Sequence, residues 1–142
     1  MKSSARNQLV GTVSRVTPGA VNDEVEIALE GGQRIVAVVT RESSVRLGLA
    51  VGVEAFALVK ASSVIIVPDL GTARLSARNQ LAGTVARVQA GAVNAEIVID
   101  VGGAASIVAI VTQASASALG LAPGSAAVAI FKASSVVVGV SG

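Results

Sequence analysis

No cysteine and no histidine occurs anywhere in the 142 residues. Thiolate and imidazole ligands for zinc, iron–sulfur clusters and copper are therefore missing, and so is histidine acid–base chemistry. A disulfide framework, the usual staple of a small domain, is excluded as well. Trp and Tyr are absent, and the two phenylalanines, Phe56 and Phe131, lie in apolar stretches. A surface for stacking nucleic-acid bases is thus not expected. Charged residues make up 14% of the chain with a net charge of +2. The pI near 9.7 is a mild basic bias rather than a nucleic-acid footprint. Lys60 and Ser62 lie close in sequence, but no Ser-x-x-Lys motif, nucleophile elbow or cofactor fingerprint accompanies them, and an enzyme is not expected.

Apolar residues are abundant, at 52%. The run from Val101 to Phe131 has no charge and is long enough to cross a bilayer. It is interrupted by Gly102, Gly103, Gly120, Pro123 and Gly124, and its counterpart earlier in the chain carries Glu30, Arg34, Arg41, Glu42, Arg46 and Glu54. Such a segment is costly in lipid, so both runs read as buried strands and no membrane partner is expected. Met1 to Gly11 has no apolar stretch of signal-peptide length, which makes the cytoplasm the expected location.

What is present is a duplication. Ser4-Ala5-Arg6-Asn7-Gln8-Leu9 recurs as Ser76-Ala77-Arg78-Asn79-Gln80-Leu81, and the offset of 72 then holds without a gap. Gly19-Ala20-Val21-Asn22 matches Gly91-Ala92-Val93-Asn94, and Lys60-Ala61-Ser62-Ser63-Val64 matches Lys132-Ala133-Ser134-Ser135-Val136. Roughly 36 of 64 aligned pairs are identical, far beyond chance, so one small domain occurs twice. The expected division is a first domain over residues 1–67, a linker over 68–75 with its Pro, Asp and Gly, and a second domain over 76–142. Units of this size bury marginal cores, so assembly is expected.

Within each repeat the pattern is of short strands. Gln8 to Val16 and Glu24 to Leu29 alternate, and Gly31-Gly32 supplies a hairpin turn. Arg34 to Thr40, Ala55 to Val59 and Val64 to Val67 are apolar on both faces, so each needs two covers. Thr40 to Leu49 suits one short helix, capped by Thr40 and ended at Gly48. Five strands and one helix in about 65 residues predict an all-β chain of two small Greek-key barrels of oligonucleotide-binding-fold type in tandem.

The ordered series Ser-Ala-Arg-Asn-Gln-Leu, Gly-Thr-Val, Gly-Ala-Val-Asn, Thr-x-x-Ser, Leu-Gly-Leu and Lys-Ala-Ser-Ser-Val resembles the Mop domain, the unit of the molbindins. The match covers nearly all of the chain, twice, and leaves no room within it for a helix-turn-helix or a P-loop. The regulator and transporter versions of the domain are therefore not expected. The resemblance implies reversible binding of molybdate or tungstate at interfaces between Mop domains, in homotrimeric assemblies serving molybdenum storage and homeostasis. It implies no cofactor and no metal ligated directly by side chains. Carried over by position, the main site takes Ser4, Arg6, Thr40, Lys60, Ala61 and Ser62, and in the second copy Ser76, Arg78, Thr112, Lys132, Ala133 and Ser134. A second, axial site falls on Val21, Asn22 and Ser43, and on Val93, Asn94 and Ser115.

The chemistry of these residues agrees with that implication. Molybdate is a tetrahedral dianion with acceptor oxygens only, so its site needs donors and one or two cations. Oriented amides share the load, and small residues let backbone come close. Neither Ser-Ala-Arg-Asn-Gln nor Lys-Ala-Ser-Ser contains a carboxylate to repel the anion. Plainer readings stand beside it: Arg6 and Arg78 as exposed cations, Lys60 and Lys132 as strand-end snorkels, Ser63 as a turn hydroxyl, Asn22 and Asn94 as turn residues. The alternative functions are a structural oligomer and a nucleic-acid-binding barrel with no oxyanion role.

Overall fold

The computed structural model describes residues 1–142. Each repeat begins with a long strand, β1 (Asn7–Thr17) or β6 (Asn79–Ala90). Two further strands follow as a meander, β2 (Asn22–Leu29) and β3 (Arg34–Thr40), or β7 (Asn94–Gly102) and β8 (Ala105–Thr112). Gly32 closes the β2–β3 turn at a φ of 93°, where a side chain would be strained. A short helix comes next, α1 (Arg41–Leu47) or α2 (Gln113–Ala118). As expected, the Thr40 side chain caps α1 by accepting from the Ser43 amide, and Gly48 ends it in the left-handed conformation. Then come β4 (Glu54–Val59) or β9 (Ala126–Phe131), one 3-10 turn at Ala61–Ser63 or Ala133–Ser135, and a last short strand, β5 (Ile65–Val67) or β10 (Val136–Gly139).

The long first strands serve two neighbours each. β1 pairs with β4 along its first half and with β2 along its second, and its register shifts between Val13 and Arg15. β6 repeats the arrangement, with its shift between Val85 and Arg87. A bulge of this kind bends a strand and sharpens its twist, which lets one strand turn the corner of a barrel.

The last strands do not stay with their own repeat. The two sheets run β10-β4-β1-β2-β3 and β5-β9-β6-β7-β8. β10 pairs with β4, setting Gly139 opposite Phe56, and β5 pairs with β9, setting Val67 opposite Val128. The exchanged positions are matched in volume. A Cβ on Gly139 would meet the Phe56 ring at 2.4 Å, so the large residue on β4 requires the glycine on β10. Where the second repeat has the smaller Val128, the first repeat's strand supplies Val67 in place of glycine.

The exchange merges the two units. One apolar cluster contains Leu9, Val13, Val25 and Ile27 of the first repeat with Leu81, Val85, Ile97 and Ile99 of the second. One doubly apolar strand gains its second cover inside the chain, since Ile35, Val36 and Ala37 of β3 are all buried, whereas Ile65 of β5 and Val137 of β10 stay exposed. No helix is long and apolar enough to cross a membrane.

Candidate oxyanion grooves

The opening motif of each repeat does two jobs, set by the side on which each residue leaves the strand. Asn7 and Asn79 point inward and are fully buried. Asn79 receives the Val36 amide at 2.8 Å and donates to the Val36 carbonyl at 2.8 Å. Asn7 does the same with Val108, at 2.7 and 2.8 Å, and also donates to the Val59 carbonyl. Each amide thus fastens one repeat to the outer strand of the other. Sequence reasoning gave these asparagines no separate role, although both copies keep them.

The flanking residues face outward. Ser4, Arg6, Lys60, Ala61 and Ser62 line one groove, closed on its far side by Ile110, Ser135 and Val137 of the second repeat. Ser76, Arg78, Lys132, Ala133 and Ser134 line its counterpart, with Val38 and Ile65 of the first repeat. In both, the lysine ends a strand and the 3-10 turn follows at once, leaving Lys60, Ser62, Lys132 and Ser134 exposed while Ala61 and Ala133 are buried. The small alanine lets the turn lie flat on the core, so that serine and lysine face the groove. The two grooves, about 390 and 450 Å³, are open and exceed what a single tetrahedral anion fills.

Thr40 and Thr112 lie elsewhere. Thr40 bonds Ser43, at 3.1 Å to its amide and 2.8 Å to its hydroxyl, and pairs across the sheet with Asn22. The Arg41 amide, next along, donates to the Val21 carbonyl. Thr112 makes the matching bonds with Ser115 and pairs with Asn94, and the Gln113 amide donates to the Val93 carbonyl. One cluster therefore holds Thr40 with Val21, Asn22 and Ser43, and another holds Thr112 with Val93, Asn94 and Ser115. Within the chain, the third strand lining the Lys60 groove is β8, through Ile110, and the one lining the Lys132 groove is β3, through Val38. Each groove is composite, built from a basic motif of one repeat and a strand of the other.

Carboxylates from outside these motifs pair with the groove arginines. Arg6 pairs with Glu96 at 2.8 Å, and Arg78 grips Glu24 at 2.7 and 2.9 Å. The carboxylate-free motifs gave no hint of this, because the acidic partner comes from the second strand of the opposite repeat.

The cluster around Thr40 has a further feature. Asp23, beside Asn22, is buried and accepts from the Gly19 amide at 3.1 Å, with Arg41 at 3.4 Å. The Gly19 amide, the Ser44 hydroxyl and Arg41 hold its carboxyl below the ordinary range against the opposing cost of burial. The second repeat has Ala95, Gln113 and Ala116 at the corresponding positions, so its loop carries no acid.

The TOBE domain family matches residues 3–66 and again residues 75–138. The molybdenum-pterin-binding protein MopA of Rhodobacter capsulatus is 53% identical over 137 residues, covering 96% of this chain and 52% of that protein. The molybdenum transport protein ModE of Azotobacter vinelandii is 46% identical over 142 residues, covering 100% of this chain and 52% of that protein. This chain thus spans about half the length of the curated relatives it matches. A solved structure of the cytoplasmic molybdate-binding protein ModG, with molybdate bound, superposes with a TM-score of 0.97 at 50% identity, covering 99% of this chain and 100% of that one.

Proposed function

The chain belongs to the TOBE-domain family as two tandem copies, and on that premise we propose that it binds molybdate or tungstate reversibly. The observation that carries the reading is the gathering of Ser4, Arg6, Lys60, Ala61 and Ser62, distant in sequence, along one groove, and its repetition with Ser76, Arg78, Lys132, Ala133 and Ser134. Hydroxyls, a guanidinium, an ammonium and a 3-10 turn offer donors to an anion that only accepts. The names of its relatives point to the same class of ligand.

Each groove is wider than the anion, so a second surface completes it. In this proposal that surface belongs to another copy of the chain in a homotrimer, and Thr40 or Thr112 enters from there. The clusters of Val21, Asn22 and Ser43, and of Val93, Asn94 and Ser115, form the axial sites where three copies meet. Their exposed Val21 and Val93 are buried by that assembly, in line with the preference of large apolar groups for a dry contact. Binding by hydrogen bonds, with no covalent step, suits cytoplasmic storage and buffering of molybdenum.

A second reading is favoured by the Arg6–Glu96 and Arg78–Glu24 pairs: the arginines are structural ties between repeats and bind no anion. Titration calorimetry with molybdate, tungstate, sulfate and phosphate decides between them. Micromolar or tighter binding of the first two is the expected result. Nothing tighter than millimolar for any of the four anions would sink the oxyanion reading.

A further inference from the structure

We propose that Glu24 and Glu96 act as built-in competing anions that set the oxyanion affinity of the two grooves, and that they leave the Arg78 groove the weaker. The proposal rests on the oxyanion reading above. Its basis is how differently the two carboxylates are engaged. Glu24 spends both oxygens on Arg78, taking one N–H from each terminal nitrogen of the guanidinium. Glu96 offers a single oxygen, Oε1, and divides it between Arg6 at 2.8 Å and Arg87 at 2.9 Å.

Two substitutions between the repeats accompany the difference, Val98 for Glu26 and Ser106 for Arg34. Arg15 and Arg87 hold the same position on the long first strands. Arg15 stands opposite Glu26, whose carboxylate is bonded by Arg34 and Ser14. Arg87 stands opposite Val98, finds no carboxylate there, and turns to Glu96 instead. The carboxylate on Arg6 is therefore shared with a second guanidinium, whereas the carboxylate on Arg78 is matched to that arginine alone. A dianion feels twice the repulsion a monoanion would from either carboxylate, and the groove whose carboxylate has only the one arginine in contact with it should hold the dianion less well.

A guanidinium gripped end-on keeps three of its five N–H donors. Arg78 can thus hold an oxyanion without releasing Glu24, and the carboxylate acts on affinity through its charge. Removing that charge while keeping the shape should therefore tighten binding. A carboxylate that served only to position the arginine would have the opposite effect when removed.

The test is titration calorimetry with molybdate on the full chain, one groove at a time. Lys60→Ala leaves the Arg78 groove as the main site, and Lys132→Ala leaves the Arg6 groove. The Lys132→Ala protein should bind more tightly than the Lys60→Ala protein. Adding Glu24→Gln to Lys60→Ala should tighten binding on the order of three- to tenfold at low salt, with the gain shrinking as salt rises. Glu24→Ala should act in the same direction. In the reverse sense, Val98→Glu added to Lys132→Ala should draw Arg87 away and weaken the Arg6 groove. Equal affinities in the two single-lysine proteins, or weaker binding on removing Glu24, overturns the proposal while leaving the oxyanion reading intact. An unmodified chain that binds no oxyanion overturns both.

Discussion

The Asn79 side chain and the Val36 backbone exchange two hydrogen bonds, both of 2.8 Å, across the boundary between the repeats. Val36 lies on β3, an outer strand of its sheet, so the amide satisfies one N–H and one C=O that no neighbouring strand reaches. It does so as a further strand would, with one donor and one acceptor side by side. Asn7 and Val108 repeat the arrangement in the other direction.

Replacing Asn79 with alanine should therefore cost more than two average hydrogen bonds. It strands a buried donor and a buried acceptor, at about 1–3 kcal/mol per group. Asn79→Asp should be no better, since a carboxylate cannot donate to the Val36 carbonyl and would be buried without a cation. Urea denaturation of the two variants reads both effects. A loss below about 0.5 kcal/mol for Asn79→Ala would show that water enters and replaces the amide.

The strand exchange gives a second prediction. Gly139→Val should overpack against Phe56, at a cost of about 1–3 kcal/mol. Phe56→Val on the same chain should recover most of that loss, because it recreates the pairing of Val67 with Val128 in the other sheet. A double-mutant cycle by thermal or chemical denaturation measures the coupling. Additive losses would mean that Phe56 simply swings aside and the volumes are not matched.

These two relationships also mark where the sequence stops being legible. The strands, the Gly31-Gly32 turn and the Thr40 cap follow from alternation and local chemistry, which act within a few residues. The exchange of β5 and β10 does not. Both strands are short apolar runs that fit either sheet by pattern, and the complementarity of Phe56 with Gly139 lies between residues 83 positions apart. The gathering of Ser4, Arg6 and Lys60 came from the spacing of a resembling family and not from composition. Glu24 and Glu96 went unread as partners because each meets an arginine 54 or 90 positions away in the chain. Thr40 belongs to the same class: its strand passes the Lys132 groove rather than the Lys60 groove, a fact fixed by how the repeats interlock.

Removing both groove lysines tests the oxyanion reading without disturbing the fold. Lys60 and Lys132 are exposed and cap nothing with their side chains. Lys60→Ala with Lys132→Ala should weaken molybdate binding about ten- to a hundredfold at the main grooves, the worth of one charge-assisted hydrogen bond per site. Circular dichroism, melting temperature and oligomeric state should stay as they are. Unchanged affinity would remove the lysines from the site, and dissociation into monomers would favour the structural reading.

Acid should unsettle the two repeats unequally. The carboxyls of Asp23 and Glu26 both titrate below their ordinary values of 3.8 and 4.5. For Asp23 the chief cause is the Gly19 amide, helped by Ser44 and Arg41. For Glu26 it is Arg34, helped by Ser14. A depressed carboxyl stabilises the fold above its unfolded pKa, and that contribution disappears as pH falls through the folded value. Stability from these two groups should therefore be complete at about pH 6, begin to decline as pH falls through the range of their ordinary values, and be lost below it. The second repeat has Ala95 and Val98 at these places and nothing to lose. Asp23→Ala alone should destabilise at neutral pH, because Ser44 is buried and is left without its acceptor. Asp23→Ala, Arg41→Gln and Ser44→Ala together import the second repeat's residues and should cost less at neutral pH than the single change, despite altering more side chains. The triple variant should also flatten the acid limb of a plot of stability against pH. If it proves weaker than Asp23→Ala at pH 7, the three residues do not form one unit, and the replacement of all three between the repeats is coincidence.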